Sequence, residues 1–340
     1  MAEHVASWCA SLAELLARSL VRVLAYPVDP DERIYGPYLL GAAALAALAW
    51  ARERRAAGRG AREGFLRFCF PARVWRTASA WLDVRYFLVH QLVRVWIYGS
   101  LALGVGAATA RACSVAFAAY LGPAPDPALP AGPGARVAAT LLGLALADFA
   151  GFLAHYLQHR SALLWEFHRV HHSLTVMHPL SNYREHWVDN LLYAAVHGAT
   201  GGLVASVGVQ LLGAPVPVLA ILGVNALVFA FDAAGYNLRH SHVWVAWPGW
   251  LGHLLGSPAY HQIHHSEDPR HRDKNFAFMF PIWDRLFGTL VLPRERLELR
   301  FGLGDGSENE YRSILRLWLL PFARLARRRR GAAVGYEVTG

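Results

Sequence analysis

Apolar residues run through this chain in blocks, and the polar residues collect between them. Crossing a bilayer as a helix takes about 20 apolar residues. Ile34 to Ala51 is the first block of that kind, closed by Arg52-Glu-Arg-Arg55. Residues 56–85 are mixed and basic. Phe87 to Leu121 is longer than one crossing, with Arg94 near its start and Arg111 inside it. It predicts either one span with an interfacial helix or a tight hairpin. Gly122 to Gly134 is a proline- and glycine-rich loop without a basic residue, which suits the outer side of a membrane. Val137 to Ala154 is the next span and runs straight into His155. Ahead of all these, Ala2 to Pro27 carries Glu14, Arg18 and Arg22 among apolar residues and has no basic start. That pattern predicts an amphipathic interfacial helix rather than a cleavable leader.

The stretch from Asn190 to Leu238 has the largest topological consequence. Tyrosines aside, its only ionisable residues are His197 and Asp232. It is too long for one span and suits two, with Gly213-Ala-Pro-Val-Pro217 as the turn. A two-span hairpin returns the chain to the face it left. Polar segments before and after it can then meet.

Composition supports the membrane reading. Hydrophobic residues make up 55% of the 340, charged residues only 17%, and mean hydropathy is +0.25. Net charge is +9, carried by arginine; Lys274 is the only lysine. The arginines concentrate in Arg52 to Arg62 and Arg324 to Arg330, next to apolar segments. They read as headgroup anchors that mark a cytoplasmic face, not as a nucleic-acid surface. Cys9, Cys69 and Cys113 give neither a disulfide framework nor a thiolate metal site. The preference for arginine over lysine, together with the alanine content, fits a GC-rich bacterial genome and a bacterial inner membrane.

Into this apolar chain fall three histidine clusters: His155-Tyr-Leu-Gln-His159, His168-Arg-Val-His171-His172 and His261-Gln-Ile-His264-His265. On a helix, side chains at i, i+3 and i+4 share a face. Imidazole is costly to bury without a partner, and neutral imidazole binds zinc, iron, copper or nickel. Eight ligands exceed one tetrahedral ion and suit two ions with open positions. No Walker loop, nucleophile elbow, dinucleotide-binding glycine motif, H-E-x-x-H or paired E-x-x-H motif is present. A histidine-rich membrane transporter or metal-binding protein is a rival reading, although such a protein would place more ionisable residues within its spans. A zinc-dependent membrane hydrolase is another.

The order H-x3-H, H-x2-H-H, apolar hairpin, H-x2-H-H resembles the fatty acid hydroxylase/sterol desaturase superfamily of integral-membrane di-iron oxygenases. Further elements extend the resemblance over roughly residues 140–292. Asp148 precedes His155, and Arg184-x-His186-x-x-Asp189 resembles an R-x-H-P-x-E-like segment, with Trp187 in place of the proline. Asp273-Lys-Asn-Phe276 and Trp283-Asp-Arg-Leu-Phe-Gly-Thr289 match its other two elements.

The resemblance implies an all-α membrane bundle with a His-rich cytosolic cap holding a dimetal site. The organisation it implies is membrane and interfacial helices over 1–134, a catalytic domain over 135–295 and a basic tail over 296–340. It implies two iron ions held by the eight clustered histidines, with zinc possible in a purified sample, and His240 as a ninth ligand with His242 as its competitor. Asp148, Arg184, His186, Asp189, Asn275 and Asp284 become candidates for orienting ligands, with His186 acting alongside Asp189. The implied reaction is O2-dependent hydroxylation or desaturation of a lipid C–H bond in a sterol, fatty-acyl or alkyl-ether lipid. Electrons would come from a separate donor, a ferredoxin, cytochrome or reductase.

Overall fold

The computed structural model describes residues 2–56, 63–126, 132–215 and 217–337. The described part is all-α except for one two-stranded ribbon. The first helix, α1 (Ala2–Ala25), leads through a loop into α2 (Gly36–Ala56). Two short helices, α3 (Phe65–Cys69) and α4 (Ala72–Trp75), precede α5 (Ala78–Leu121). The apolar Phe87–Leu121 block is no hairpin: it is part of a single helix of 44 residues, about 66 Å long. Thr77 caps its start by accepting from Ala80 N at 3.1 Å. Its first half buries Leu82, Asp83, Tyr86, Phe87, His90 and Gln91 among other elements. Its second half, Tyr98–Leu121, is apolar and unburied.

Helix α6 (Pro133–Arg160) comes next, and α7 (Ala162–His172) follows after a one-residue break at Ser161. Helix α8 (Trp187–Leu212) then runs away from the site. Among the described residues, three helices are long and apolar enough to cross a membrane: Tyr98–Leu121 of α5, α6 and α8. Helix α2 is a helix as the pattern predicts but is not one of these three.

Two of these helices touch backbone to backbone. A Cβ on Gly198 would lie 2.3 Å from the Ala102 carbonyl oxygen, and one on Gly202 would lie 2.3 Å from that of Gly106. Ser206 continues the seam by donating to Ala110 O at 3.0 Å. Small residues every four positions permit this close approach. Gly202→Leu is therefore expected to force α5 and α8 apart and cost about 3 kcal/mol. Its neighbour Gly201 has nothing within 4 Å of its Cβ direction. A thermal midpoint that falls for Gly202→Leu and holds for Gly201→Leu checks this.

The stretch after α8 departs from the two-helix expectation. Gly213 ends α8 in the left-handed region at φ 72°. Two strands, β1 (Ala220–Ile221) and β2 (Val224–Asn225), form a ribbon turned by Leu222 and Gly223, both at positive φ. Helix α9 (Ala226–Ala233) has only eight residues. Pro215 and Pro217 cannot sit inside a helix, so the return is part extended and part helical; Val216 of the same turn lies outside the described residues. Leu219 N donates to Thr140 Oγ1 at 2.8 Å, which pins the ribbon to α6. The consequence of a return still holds: His240 and His261 come back beside His171.

The remaining helices are α10 (Leu251–Leu254), α11 (Pro258–His264), α12 (Ile282–Phe287) and α13 (Ile314–Glu337). Helix α13 packs Leu317 and Leu320 with Leu82, Tyr86 and Val170. It is also tied to α7, where buried Glu166 accepts from Arg324 at 3.0 Å and pairs with Arg328 at 2.8 Å.

Candidate metal centre

Three helix ends supply the histidines. His155 and His159 occupy the last turns of α6. His168, His171 and His172 lie on α7, whose start is capped by Ser161. His261 and His264 lie on α11, a short helix begun by Pro258 and capped by Ser257, with His265 just past its end. His240 arrives from the chain after α9. Their side chains gather into two groups. One holds His155, His159, His168, His172 and His264; the other holds His171, His240, His261 and His265. Within each group the ligand-capable atoms all lie within 4.8 Å of one another.

Many of the ring nitrogens facing outward have protein partners. His155 Nδ1 donates to the Phe276 carbonyl and His264 Nδ1 to that of Lys274, each at 2.8 Å. His171 Nδ1 reaches the Arg184 carbonyl at 3.2 Å, and His159 Nδ1 reaches Asp273 Oδ1 at 3.3 Å. His168 Nδ1 faces Asp189 Oδ2 at 3.5 Å, and His240 Nδ1 faces Ser181 Oγ at 3.1 Å. Arg239 Nη2 lies 3.0 Å from His261 Nδ1. In His155, His159, His171 and His264, whose Nδ1 faces a carbonyl or carboxylate oxygen, a proton held on Nδ1 leaves the Nε2 lone pair free, whereas His261 Nδ1 accepts from the Arg239 guanidinium.

These Nε2 atoms turn inward. Those of His264 and His172 are 3.1 Å apart, and those of His240 and His265 stand 3.0 and 3.1 Å from that of His261. The Nε2 atoms of His155, His159 and His168 are buried without a hydrogen-bond partner. Converging lone pairs in a desolvated pocket repel unless a cation lies between them. Separations near 3 Å match neighbouring ligands about 2.1 Å from one ion. The donor set therefore fits two metal ions. Burial first, and the charges of neighbouring imidazoles second, hold His168, His172, His264 and His265 well below the usual histidine range. Burial also brings His171 down to about 4. All are neutral at physiological pH, the form that binds metal.

Several candidate residues act one step further out. Asp148 accepts from Met279 N at 2.8 Å, Phe280 N at 3.0 Å and Trp283 Nε1 at 2.9 Å. Asp284 accepts from Phe276 N at 2.9 Å, Ala277 N at 2.8 Å, Thr289 Oγ1 at 2.5 Å and the Tyr260 hydroxyl. Asn275, at φ 60°, donates to the carbonyls of Tyr260 and Val291. Together they clamp the 274–280 strap whose carbonyls hold His264 and His155. Arg184 contributes its carbonyl to His171, and its guanidinium is anchored on Asp83 and Ser79.

Residues 140–289 match the fatty acid hydroxylase family. Over 154 residues, 45% of this chain and 42% of the relative, the protein is 30% identical to an ornithine lipid hydroxylase of Rhizobium tropici. Over 167 residues it is 28% identical to an alkylglycerol monooxygenase of Caenorhabditis elegans, covering 49% of this chain and 30% of that one. Over 153 residues it is 32% identical to human cholesterol 25-hydroxylase, covering 44% and 50%. The chain thus spans half or less of the length of these relatives. No solved structure gives a significant match.

The match over residues 140–289 fits the fatty acid hydroxylase/sterol desaturase superfamily that the histidine motifs resemble. In this superfamily segment His186 does not stand behind a ligand. Its Nδ1 caps α8 by accepting from Val188 N at 3.1 Å, and its Nε2 donates to the Trp318 carbonyl at 3.0 Å. Asp189 alone faces His168, and Gln158 Nε2 donates to its other oxygen at 2.8 Å. His242 leaves the site as well, with Nε2 2.7 Å from the Phe68 carbonyl. Sequence reading missed Asp83, a buried carboxylate that accepts from Arg184 and lies 3.0 Å from His178 Nε2. It sits in α5, far outside the motifs. A polar residue on the buried face of a helix was its one signal.

His186 gives a pH prediction. Burial is the main cause that lowers it to about 4. A group held below its unfolded value of about 6.5 contributes its full stability above pH 6.5. That contribution is lost as pH falls from about 6.5 towards 4, by up to about 3 kcal/mol. His186→Asn keeps a capping oxygen and cannot titrate here. Its thermal midpoint is expected to fall less steeply over this window than that of the parent protein; an unchanged slope refutes the assignment.

Proposed function

We propose that this protein is a membrane-bound, O2-dependent hydroxylase acting on a C–H bond of a lipid. The observation that carries the reading is the pair of buried imidazole groups opening onto a cavity of about 480 Å³ between the helices. Leu144 and Ala147 of α6, Val228 and Phe231 of α9, and Phe278 line that cavity below His155, His168, His171, His240 and His261. The names of the relatives support a lipid substrate and oxygen insertion.

Two iron ions would be held by His155, His159, His168, His172 and His264 on one side and by His171, His240, His261 and His265 on the other. When bound, they supply activation of O2 and removal of hydrogen from an unactivated C–H bond. The protein orients the imidazoles through the strap carbonyls, Asp189, Asp273 and Ser181. The apolar part of the wall, Leu144, Ala147, Val228, Phe231 and Phe278, would hold the substrate carbon. Hydroxylation consumes O2, two electrons and two protons, turning R–H into R–OH and releasing one water. Removal of hydrogen from two adjacent carbons would give desaturation and two waters.

A second opening, of about 390 Å³, is lined by His159, His172 and His264. It is polar, lined by Arg169, Glu267, Arg272, Asp273 and Asp305. We assign it to protons and to a separate electron donor. Arg54 and Arg55 end α2, which packs at Leu238 and Val243 beside the histidine end of the bundle; Arg59 and Arg62 of that run lie outside the described residues. By the positive-inside rule these arginines support a metal centre on the cytoplasmic side.

Metal analysis and product analysis test this together. Two irons per chain, with an O2-dependent lipid product heavier by one oxygen, are expected. One zinc, with activity unaffected by anaerobiosis, would replace this reading with a hydrolase.

A further inference from the structure

The apolar stretch from Asn190 to Leu238 contains two ionisable side chains besides tyrosine, and the metal groups use neither. Both line the large cavity. His197 stacks against Tyr193, with ring centroids 6.2 Å apart. It lies eight residues beyond Asp189 on α8, so about 12 Å down the helix from the carboxylate that faces His168. Asp232 lines the same cavity from α9.

Five carboxylates line the cavity: Asp31, Asp148, Glu185, Asp189 and Asp232. Asp31 is exposed. Asp148 is held by two amides and an indole, Glu185 by Arg33 at 2.8 Å, and Asp189 by Gln158 at 2.8 Å. Half-buried Asp232 has no hydrogen bond or ion pair among the described residues. Arg33 and Arg239 are the cations within its electrostatic reach, and both are committed elsewhere. Arg33 also donates to the Asn182 carbonyl at 3.2 Å, and Arg239 donates to the Phe278 carbonyl at 2.8 Å.

A half-buried carboxylate facing a cavity without a protein donor carries a cost unless something donates to it. No described protein group does so, and the cavity it faces leads to the metal groups. We propose that Asp232 is the polar anchor for the substrate: it takes a hydroxyl or ammonium group of an amphiphilic lipid. That contact sets which carbon reaches the histidine groups. The inference rests on the hydroxylase reading for its purpose, but its binding prediction stands without turnover.

The test uses the full-length protein in nanodiscs and measures equilibrium binding of radiolabelled probes. Octadecanol and octadecylamine are compared with methyl octadecyl ether, and cholesterol with cholesteryl methyl ether. In at least one framework the donor-bearing probe is expected to bind about tenfold or more tightly than its ether. Asp232→Leu should erase that preference. Asp232→Asn separates the sources: it should keep a preference for an alcohol and lose one for the amine. An unchanged metal stoichiometry and thermal midpoint establish that the variants are folded. The proposal is overturned if every ether binds as tightly as its donor-bearing partner, or if Asp232→Leu keeps the preference. Failure of the hydroxylase reading would show separately, in metal identity and O2 dependence.

Discussion

Alanine at His264 or His261 is expected to lower turnover by about 10³-fold or more, each by emptying a different half of the centre. His264 belongs to the five-histidine group and His261 to the four-histidine group. Each imidazole stands within 3.1 Å of another ligand nitrogen, so its loss opens a gap that no neighbouring side chain fills. Metal content should drop from two ions per chain to about one in each variant. His242→Ala is the control, because that ring hydrogen-bonds to the Phe68 carbonyl and belongs to neither group. Metal analysis on the purified variants, with product formation measured beside it, decides the matter. Retention of two ions and full turnover in either ligand variant would break the shared-site argument.

Asp284→Ala carries the second large effect, although Asp284 touches no candidate ligand. Its carboxylate accepts from two amides, a threonine hydroxyl and a tyrosine hydroxyl, all buried. Removing it strands four donors at about 1 to 3 kcal/mol each, so a loss of about 4 kcal/mol or more is expected. The strap they fix also presents the Phe276 and Lys274 carbonyls to His155 and His264. The five-histidine group should therefore bind metal more weakly in proportion as the strap loosens. A calorimetric midpoint and a metal titration read the two losses separately. Asp284→Asn, which keeps one acceptor, should fall between alanine and the parent. A stable alanine variant with undiminished affinity would mean that the strap is held from elsewhere.

The sequence carried the parts of this centre that have short-range periodicity. Three histidine clusters at i, i+3 and i+4 fix which side chains share a helix face, and the apolar return of the chain brings those faces to one end. His240 and the strap elements were legible through family resemblance. What remained hidden depends on long-range packing. Asp83 meets Arg184 across 101 residues, and nothing local to either marks the pair. His186 looks like a site residue in its motif, yet its ring caps a helix because the chain happens to turn there. The second half of the apolar hairpin misled for a related reason: hydropathy counts apolar residues alike, whether a ribbon or a helix contains them. Pro215 and Pro217 and the positive φ values at Leu222 and Gly223 decide that geometry.

The two openings have a kinetic consequence. Under the proposed function the cavity among the helices would admit the lipid and the polar opening at His159, His172 and His264 would serve the electron donor, so the two reactants would arrive from different phases. The lipid is diluted in two dimensions, as a mole fraction of the bilayer, whereas a soluble reductant is diluted in three. Varying vesicle number at fixed lipid composition therefore leaves the supply of one reactant untouched. An apparent Michaelis constant for such a protein is a surface density on one face and a bulk concentration on the other.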